Sequence, residues 1–516
     1  MSASVVAAAL VVSVAVVASR ALAERTGVPY PVFLVLAGAG ASVLPRMPSV
    51  HLDPKVVFLG FLPPLVYHAG VVTSRRELRA NALPIGLGAL GLVLATTFAV
   101  AGAVSAAVPE LGGVAALALG AVVAPTDPVA STSVLDRLGG PRQVTTILEG
   151  ESLVNDGIAL ALLSLAVGAA THPVGAAGGV VAFLRVAGGG TAFGLVVGLL
   201  ASRLRRPLRD PASQIVVSLV IPFVAYIPAD ALGMSGVLAA LTTGLVLGQL
   251  GVATLEPAGR LRALDFWQVL TFLLESALFV LIGLQLPSIL SGAGDERGGG
   301  VAVAAAVTVA VVVTVRLVWW MAVPTLRWRP AGRLVDTGEM PRGERFALGW
   351  SGLRGAISLA AALSLPDTFP GRDVILVATF AVIVFTLLGQ GTTLPFVLRR
   401  TGLVGSDADR RQRILAEREC ADAALEELDR LLESDTLSEA VCDTLRAVFE
   451  RRLARRSAGL DETGSEGRIG MGQAQKRLLA VQHRRLEELH RNGELSYTIM
   501  MEVRRQIDLE AASLGA

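Results

Sequence analysis

Ala124-Pro125-Thr126-Asp127-Pro128 stands in the middle of an otherwise apolar run, residues 112–135. Proline lacks an N–H and collides with the preceding helical turn, so two prolines around Thr-Asp interrupt the helix that the flanking residues would form. Non-helical backbone at membrane depth is tolerated only where it lines a cavity inside protein. A plain proline kink is the simpler reading; the acid within the break argues against it.

Outward from this break the chain is apolar for about 400 residues. Of its 516 residues 53% are hydrophobic and 17% charged, with a mean hydropathy of +0.61. A soluble protein of this size needs more polar surface. Spanning helices need about 20 apolar residues, and thirteen such spans are read at 3–22, 28–45, 54–72, 82–106, 112–135, 144–170, 178–202, 211–228, 232–251, 266–289, 300–323, 345–366 and 373–398. The fold class is therefore an all-α polytopic membrane protein. Residues 3–19 lack the cationic start of a signal peptide, so a first transmembrane helix is the better reading. One alternating set of loops carries Arg75, Arg76, Arg79, Arg203, Arg205, Arg206, Arg399 and Arg400 among others, whereas the opposite set holds only Arg46, Lys55, Arg297 and Arg372. The basic set is expected in the cytoplasm, which puts the N-terminus outside and the tail inside.

Composition changes after the last span. Residues 404–516 are dense in Arg and Glu, so the chain divides into a transmembrane transport domain, 1–403, and a cytoplasmic helical region, 404–516. A Gly/Ser-rich break at 457–472 separates two stretches of helical periodicity. A regulatory or oligomer-stabilising helical module is preferred over an enzyme here. Both cysteines, Cys420 and Cys442, fall in this tail, so no disulfide framework is implied and a reducing compartment is. A net charge of +2 gives no case for nucleic acid. Gly188-Gly189-Gly190 reads as helix-packing glycine with no P-loop lysine, and there is no Cys/His metal cluster, so no cofactor is expected.

The sixth span opens with Glu149-Gly150-Glu151-Ser152-Leu153-Val154-Asn155-Asp156-Gly157. Ser152 and Asp156 are four residues apart on one helical face, and Glu151 and Asn155 share the adjoining one. Glu149 suits a helix N-terminus; Asp156 lies too deep for that. The twelfth span holds Gly352-Leu353-Arg354-Gly355, a mid-membrane cation needing an anion, for which Glu151 and Asp127 are available. Its glycines suggest a second unwound segment. The two breaks fall fifth in the first six spans and fifth in the last six, with the seventh between. Such a placement points to inverted six-helix repeats with two broken crossing helices around a transport site.

Pro125-Thr126-Asp127-Pro128, Glu151-Ser152-x-x-Asn155-Asp156-Gly157 and Gly352-Leu353-Arg354-Gly355-Ala356, together with Phe61-Leu62-Pro63-Pro64-Leu65 and Glu275-Ser276-Ala277-Leu278-Phe279, resemble the sodium/proton exchangers of the monovalent cation:proton antiporter-1 family. The resemblance covers all thirteen spans, and the tail end, Arg504 to Glu510, resembles the bacterial branch. It implies Na⁺ ligation by Asp156 with Ser152 and Thr126, a Glu151–Arg354 ion pair bracing the core, Asp127 supporting the unwound crossing, and a homodimer. Where several members carry an acid after Pro-Pro in the third span this chain has His68, read first as a neutral packing group and otherwise as an accessory to the site.

The expected function is secondary active Na⁺/H⁺ antiport across a bacterial inner membrane, serving pH and sodium homeostasis, with monovalent cations, protons and membrane lipids as partners. Asp156 would hold a cation or a proton in turn, and neutral Asn155 beside it leaves one titrating charge and one-for-one, electroneutral exchange. Glu275 in the tenth span could belong to the pathway or pair with Arg316, which could alternatively snorkel to the cytoplasmic face. K⁺ or Li⁺ exchange by the same fold, an uncoupled channel, and an intramembrane aspartyl protease using Asp127 and Asp156 are the competing readings; the protease lacks a Gly-x-Gly-Asp context and leaves Arg354 unexplained.

Overall fold

The apolar runs become helices, and no strand occurs among the described residues of this computed structural model, which are 16–26, 28–42, 54–171, 175–205, 207, 210–251, 257–285, 298–322, 340–404, 407–434, 441–447 and 472–513. In chain order the helices are α1 (16–26), α2 (Tyr30–Ser42), α3 (54–72), α4 (Arg75–Ala80), α5 (Ala82–Ala107), α6 (Gly113–Val123), α7 (Val129–Leu138), α8 (Arg142–Thr171), α9 (Ala176–Arg205), α10 (Pro211–Ala231) and α11 (Gly236–Gly251). They continue as α12 (Pro257–Leu284), α13 (Gly298–Ala322), α14 (Arg342–Trp350), α15 (Ala356–Leu363), α16 (Arg372–Arg400), α17 (Asp407–Glu433), α18 (441–447), α19 (Gly472–Asn492) and α20 (Tyr497–Ser513).

Among the described residues seven helices, α5, α8, α9, α10, α12, α13 and α16, are long and apolar enough to cross a membrane, and α2, α3, α6 and α11 are shorter apolar helices. Two expected spans fall outside these sets for identifiable reasons. Residues 3–15 of the first lie outside the described residues. The twelfth is divided into α14 and α15, of nine and eight residues. The end of the tenth span, the basic stretch at 323–339 and residues 457–471 of the tail's Gly/Ser-rich break also lie outside the described residues.

The chain forms two compact units. The first comprises Met1–Pro207, Val216–Ala253 and Trp267–Gly405; the second comprises Leu208–Ile215, Thr254–Phe266 and Ser406–Ala516. In the second, α17, α19 and α20 bury Ala416, Cys420, Leu486, Leu489, Val503 and Ile507 in one apolar seam. Both cysteines are buried, and Cys420 Sγ lies 3.8 Å from Gln482 O.

In the first unit α6 is the innermost element. Nearly every residue from Ala115 to Val123 is buried, packed by α5, α8 and α16, as expected for a helix apolar all round. Elsewhere packing depends on backbones meeting at glycine, the means by which helices associate where burial from water supplies no driving force. A Cβ built on Gly38 of α2 would lie 2.2 Å from Val280 O of α12, and one on Gly283 of α12 would lie 2.1 Å from Val35 O. Gly244 and Gly248 of α11 approach Tyr67 O and Val71 O of α3 at 2.2 and 2.3 Å in the same sense, and Gly190 of α9 approaches Ser235 O.

Gly283→Ala therefore has to push α2 and α12 apart. It is expected to cost about 1–3 kcal/mol and to lower the melting temperature of the detergent-solubilised protein. Gly40→Ala, on an exposed position of α2 with nothing within 4 Å of the added methyl, is expected to leave it unchanged.

Candidate functional site

Two helices break where the prolines and glycines stand. α6 ends at Val123 and α7 resumes at Val129; α14 ends at Trp350 and α15 begins at Ala356. The two breaks touch: the Asp127 N–H donates to Leu353 O at 2.8 Å. Contact this close needs glycine. A Cβ on Gly355 would lie 2.0 Å from Asp127 Oδ2, and one on Gly352 would lie 2.2 Å from Arg316 Cδ.

A broken helix leaves carbonyls unpaired at one end and N–H groups at the other, with partial negative and positive charge. Each end here meets a side chain of the complementary charge. Arg354 Nε donates to Val123 O, the last residue of α6, at 3.1 Å, and its guanidinium also donates to Gly352 O. Arg316 Nε donates to Leu348 O near the end of α14 at 3.2 Å. Asp127 Oδ1 accepts from the Val129 N–H opening α7 at 2.9 Å, and its other oxygen lies against Gly355, where α15 begins. The Arg354 N–H donates to Thr386 Oγ1 at 3.1 Å, in a π-helical turn of α16, Phe385–Gly391.

The predicted Glu151–Arg354 pair is not formed. Glu151 pairs with Arg316, whose NH1 and NH2 donate to Oε1 and Oε2 at 2.5 and 3.1 Å, with both side chains 1% exposed. Geometry explains the exchange of partner. Arg354 sits inside the second break and turns its guanidinium to the carbonyls there, while Arg316 projects from the uninterrupted α13 with its planar fork facing the carboxylate. Neither reading of Arg316 made from sequence holds: it does not reach a membrane face and does not pair with Glu275.

Thr126 joins the first break to α8. Its hydroxyl donates to Glu151 Oε1 at 3.2 Å and accepts from Asn155 Nδ2 at 3.0 Å, and its carbonyl accepts from the Ser152 hydroxyl at 2.6 Å. Thr126, Glu151, Ser152, Asn155 and Asp127 are thus brought together. The Thr126 hydroxyl has its proton and one lone pair committed. The oxygens left to face a cation are the Ser152 lone pairs, the second lone pair of Thr126 O, and Asn155 Oδ1, which is buried without a hydrogen-bond partner. Asp156, on the Ser152 face of α8, is 8% exposed and makes no hydrogen bond or ion pair with any described residue. Asp127 lies close enough for its charge to act on it.

Among the described residues the two accessory candidates make no hydrogen bond or ion pair to this network; their partners lie elsewhere. His68 stacks on Trp267, rings parallel within 4° at 5.2 Å, and the Trp267 indole donates to Ser218 Oγ at 3.0 Å. Glu275 accepts a hydrogen bond from the Tyr30 hydroxyl at 3.2 Å. Arg316 is the site residue whose role sequence did not give. The signal available was a charge in the middle of an apolar span, but its partner is 165 residues away.

Breaking a buried pair from one side strands a charge and costs about 3–5 kcal/mol. Arg316→Ala is expected to destabilise by that amount in thermal melts of the detergent-solubilised protein, and Arg316→Ala/Glu151→Leu to regain most of it.

Comparison with known proteins agrees with this architecture. The family described as sodium/hydrogen exchanger, transmembrane, matches residues 10–400. An uncharacterized Na⁺/H⁺ exchanger of Mycobacterium tuberculosis is 35% identical over 97% of this chain and 94% of its own length. The Na⁺/H⁺ antiporter ApNhaP of Aphanothece halophytica is 30% identical over 83% of this chain and 81% of its own. In structure the chain is similar to the sodium proton antiporter MjNhaP1 of Methanocaldococcus jannaschii, with a TM-score of 0.58 at 17% identity over 78% of this chain and all of that one, a likeness of fold. By family match, relatives and helical membrane architecture together, the chain belongs to the sodium/hydrogen exchanger family, whose members are multi-pass membrane transporters and not enzymes.

Proposed function

We propose that this protein carries out electroneutral exchange of one Na⁺ for one proton, with Asp156 holding each in turn. The observation that carries the reading is the state of that carboxylate: nearly buried beside the crossing, and without a hydrogen-bond or ion-pair partner among the described residues. A carboxylate there is costly unless a mobile ion neutralises it. Na⁺ with Asp156, Ser152 and the oxygens left free around Thr126 and Asn155 forms one neutral arrangement, since a hard cation takes oxygen ligands; a proton on Asp156 forms the other. Competition for one group couples the two fluxes. Glu151 and Arg316 cancel each other, and Asn155 adds no charge, so the loaded and protonated sites carry the same net charge. That equality is the basis for electroneutrality.

The wider assignment follows from the same reading. Thirteen crossings arranged as inverted six-helix repeats would place the two broken helices at equivalent positions. The arginine-rich loops face the cytoplasm, giving an outside N-terminus and an inside tail in a bacterial inner membrane. Residues 1–403 transport and 404–516 regulate or stabilise a homodimer. K⁺ or Li⁺ in place of Na⁺ uses the same chemistry, with cavity size as the discriminator. A role in pH and sodium homeostasis follows from the pair of ions exchanged.

In proteoliposomes carrying a pH-sensitive dye, Na⁺ added against a proton gradient is expected to dequench the dye, with Li⁺ and K⁺ added in turn to rank selectivity. Asp156→Asn is expected to abolish the signal while leaving the melting temperature unchanged; sodium-driven proton flux in this variant refutes the assignment. Clamping the membrane potential with K⁺ and valinomycin is expected to leave the initial rate unchanged, and a rate that follows the potential rules out one-for-one exchange.

A further inference from the structure

Glu275 is a carboxylate within α12 that the Asp156 chemistry leaves unused. It is half-buried, its Oε2 accepts the Tyr30 hydroxyl proton at 3.2 Å, and it has no Arg, Lys or His partner at ion-pair distance among the described residues. Its hydrogen bond joins α2 to α12, but that junction is already made by Gly38 and Gly283 against backbone and by Tyr30 against Phe272, neither of which needs a charge. A carboxylate kept among apolar helices without a counter-ion calls for a functional account.

Its electrostatic neighbours supply one. Asp127 lies close enough for its charge to act on both Glu275 and Tyr30. Tyr30 and Phe272 pack in the same apolar cluster as Val129 and Leu353, which places this part of α12 beside the crossing of the broken helices, and Asp127, Tyr30 and Glu275 are each only partly buried. Among the described residues Arg20 is the one cation near them, lying over the Phe272 ring at 5.5 Å and acting on Tyr30. The rest of the surrounding wall, from α3, α15 and α16, is apolar, with Phe61, Leu359, Phe380 and Ile383 among its residues. Among the described residues, the charged and titratable groups acting on Glu275 and Tyr30 are therefore these two, Asp127 and the more distant Arg20.

We propose that Glu275, positioned by the Tyr30 hydroxyl, is an electrostatic positioning residue of the exchange: in its ionised form it concentrates the transported cation at the crossing and lowers the KM without ligating the ion. Tyr30 holds the carboxylate toward Asp127 in place of a counter-ion that would cancel its field. The inference rests on the antiport reading above, and it places the effect on cation capture, upstream of Asp156.

The test is dye dequenching by the full-length protein in proteoliposomes, read against Na⁺ concentration. Glu275→Gln is expected to raise the KM for Na⁺ about fivefold, the size of one charge acting through a protein interior of intermediate effective dielectric, with kcat within about twofold. Glu275→Asp restores most of the loss, and Tyr30→Phe raises KM by a smaller factor in the same direction. Choline chloride screens a long-range charge, so it raises KM in the unaltered protein and has little effect on Glu275→Gln. An unchanged KM in both variants, or a fall in kcat with KM unchanged, overturns the proposal. If Glu275→Gln fails to fold, Tyr30→Phe, which keeps the ring in place, decides by the same readout. Absence of exchange in the unaltered protein is a separate result and refutes the antiport reading instead.

Discussion

The site depends on one constraint: two helices interrupted inside a low-dielectric layer must have their exposed ends neutralised. Each break leaves unpaired carbonyls on one side and unpaired N–H groups on the other, with no bulk water in the hydrocarbon to satisfy them. The chain meets this with fixed side chains. Arg354 and Arg316 cover the carbonyl ends of α6 and α14, and Asp127 takes the N–H end of α7 while lying at the start of α15. Because these charges answer dipoles, the crossing can stay open in structure without collapsing into continuous helix.

That arrangement settles which carboxylate is free. Glu151 is committed to a bidentate pair and to the Thr126 hydroxyl, and Asp127 to the break itself. Asp156 alone of the three has no hydrogen-bond or ion-pair partner among the described residues, although Ser152, one turn earlier on α8, is anchored to the Thr126 carbonyl. In the proposed exchange the ion or proton is the missing partner of Asp156. Two π-helical turns lie beside this network. Gly88, in the turn Leu87–Leu92, admits the Glu151 side chain, and Thr386 in the turn Phe385–Gly391 receives the Arg354 N–H.

Much of this was legible in the chain. The breaks at 124–128 and 351–355 follow from Pro125, Pro128, Gly352 and Gly355, since loss of an N–H donor and close backbone approach are local properties. The shared face of Ser152 and Asp156 follows from a four-residue spacing. The partner of Glu151 was not legible. Both Arg316 and Arg354 are buried cations in apolar runs, and choosing between them requires the relative height and rotation of α8, α13 and the second break. His68 and Glu275 were ambiguous for the same reason: their roles are set by Trp267 and by Tyr30, each far away in sequence.

The amino-acid sequence by itself determined that this is a helical membrane protein with two interrupted spans, because hydropathy, proline and glycine act on the backbone within a turn or two of where they stand. Tertiary structure alone decided which charges cancel and which remain available, because pairing in a low-dielectric interior depends on ångström distances between helices that no spacing along the chain encodes. Arg316 against Glu151, and Arg354 against the end of α6, are decisions of that second kind.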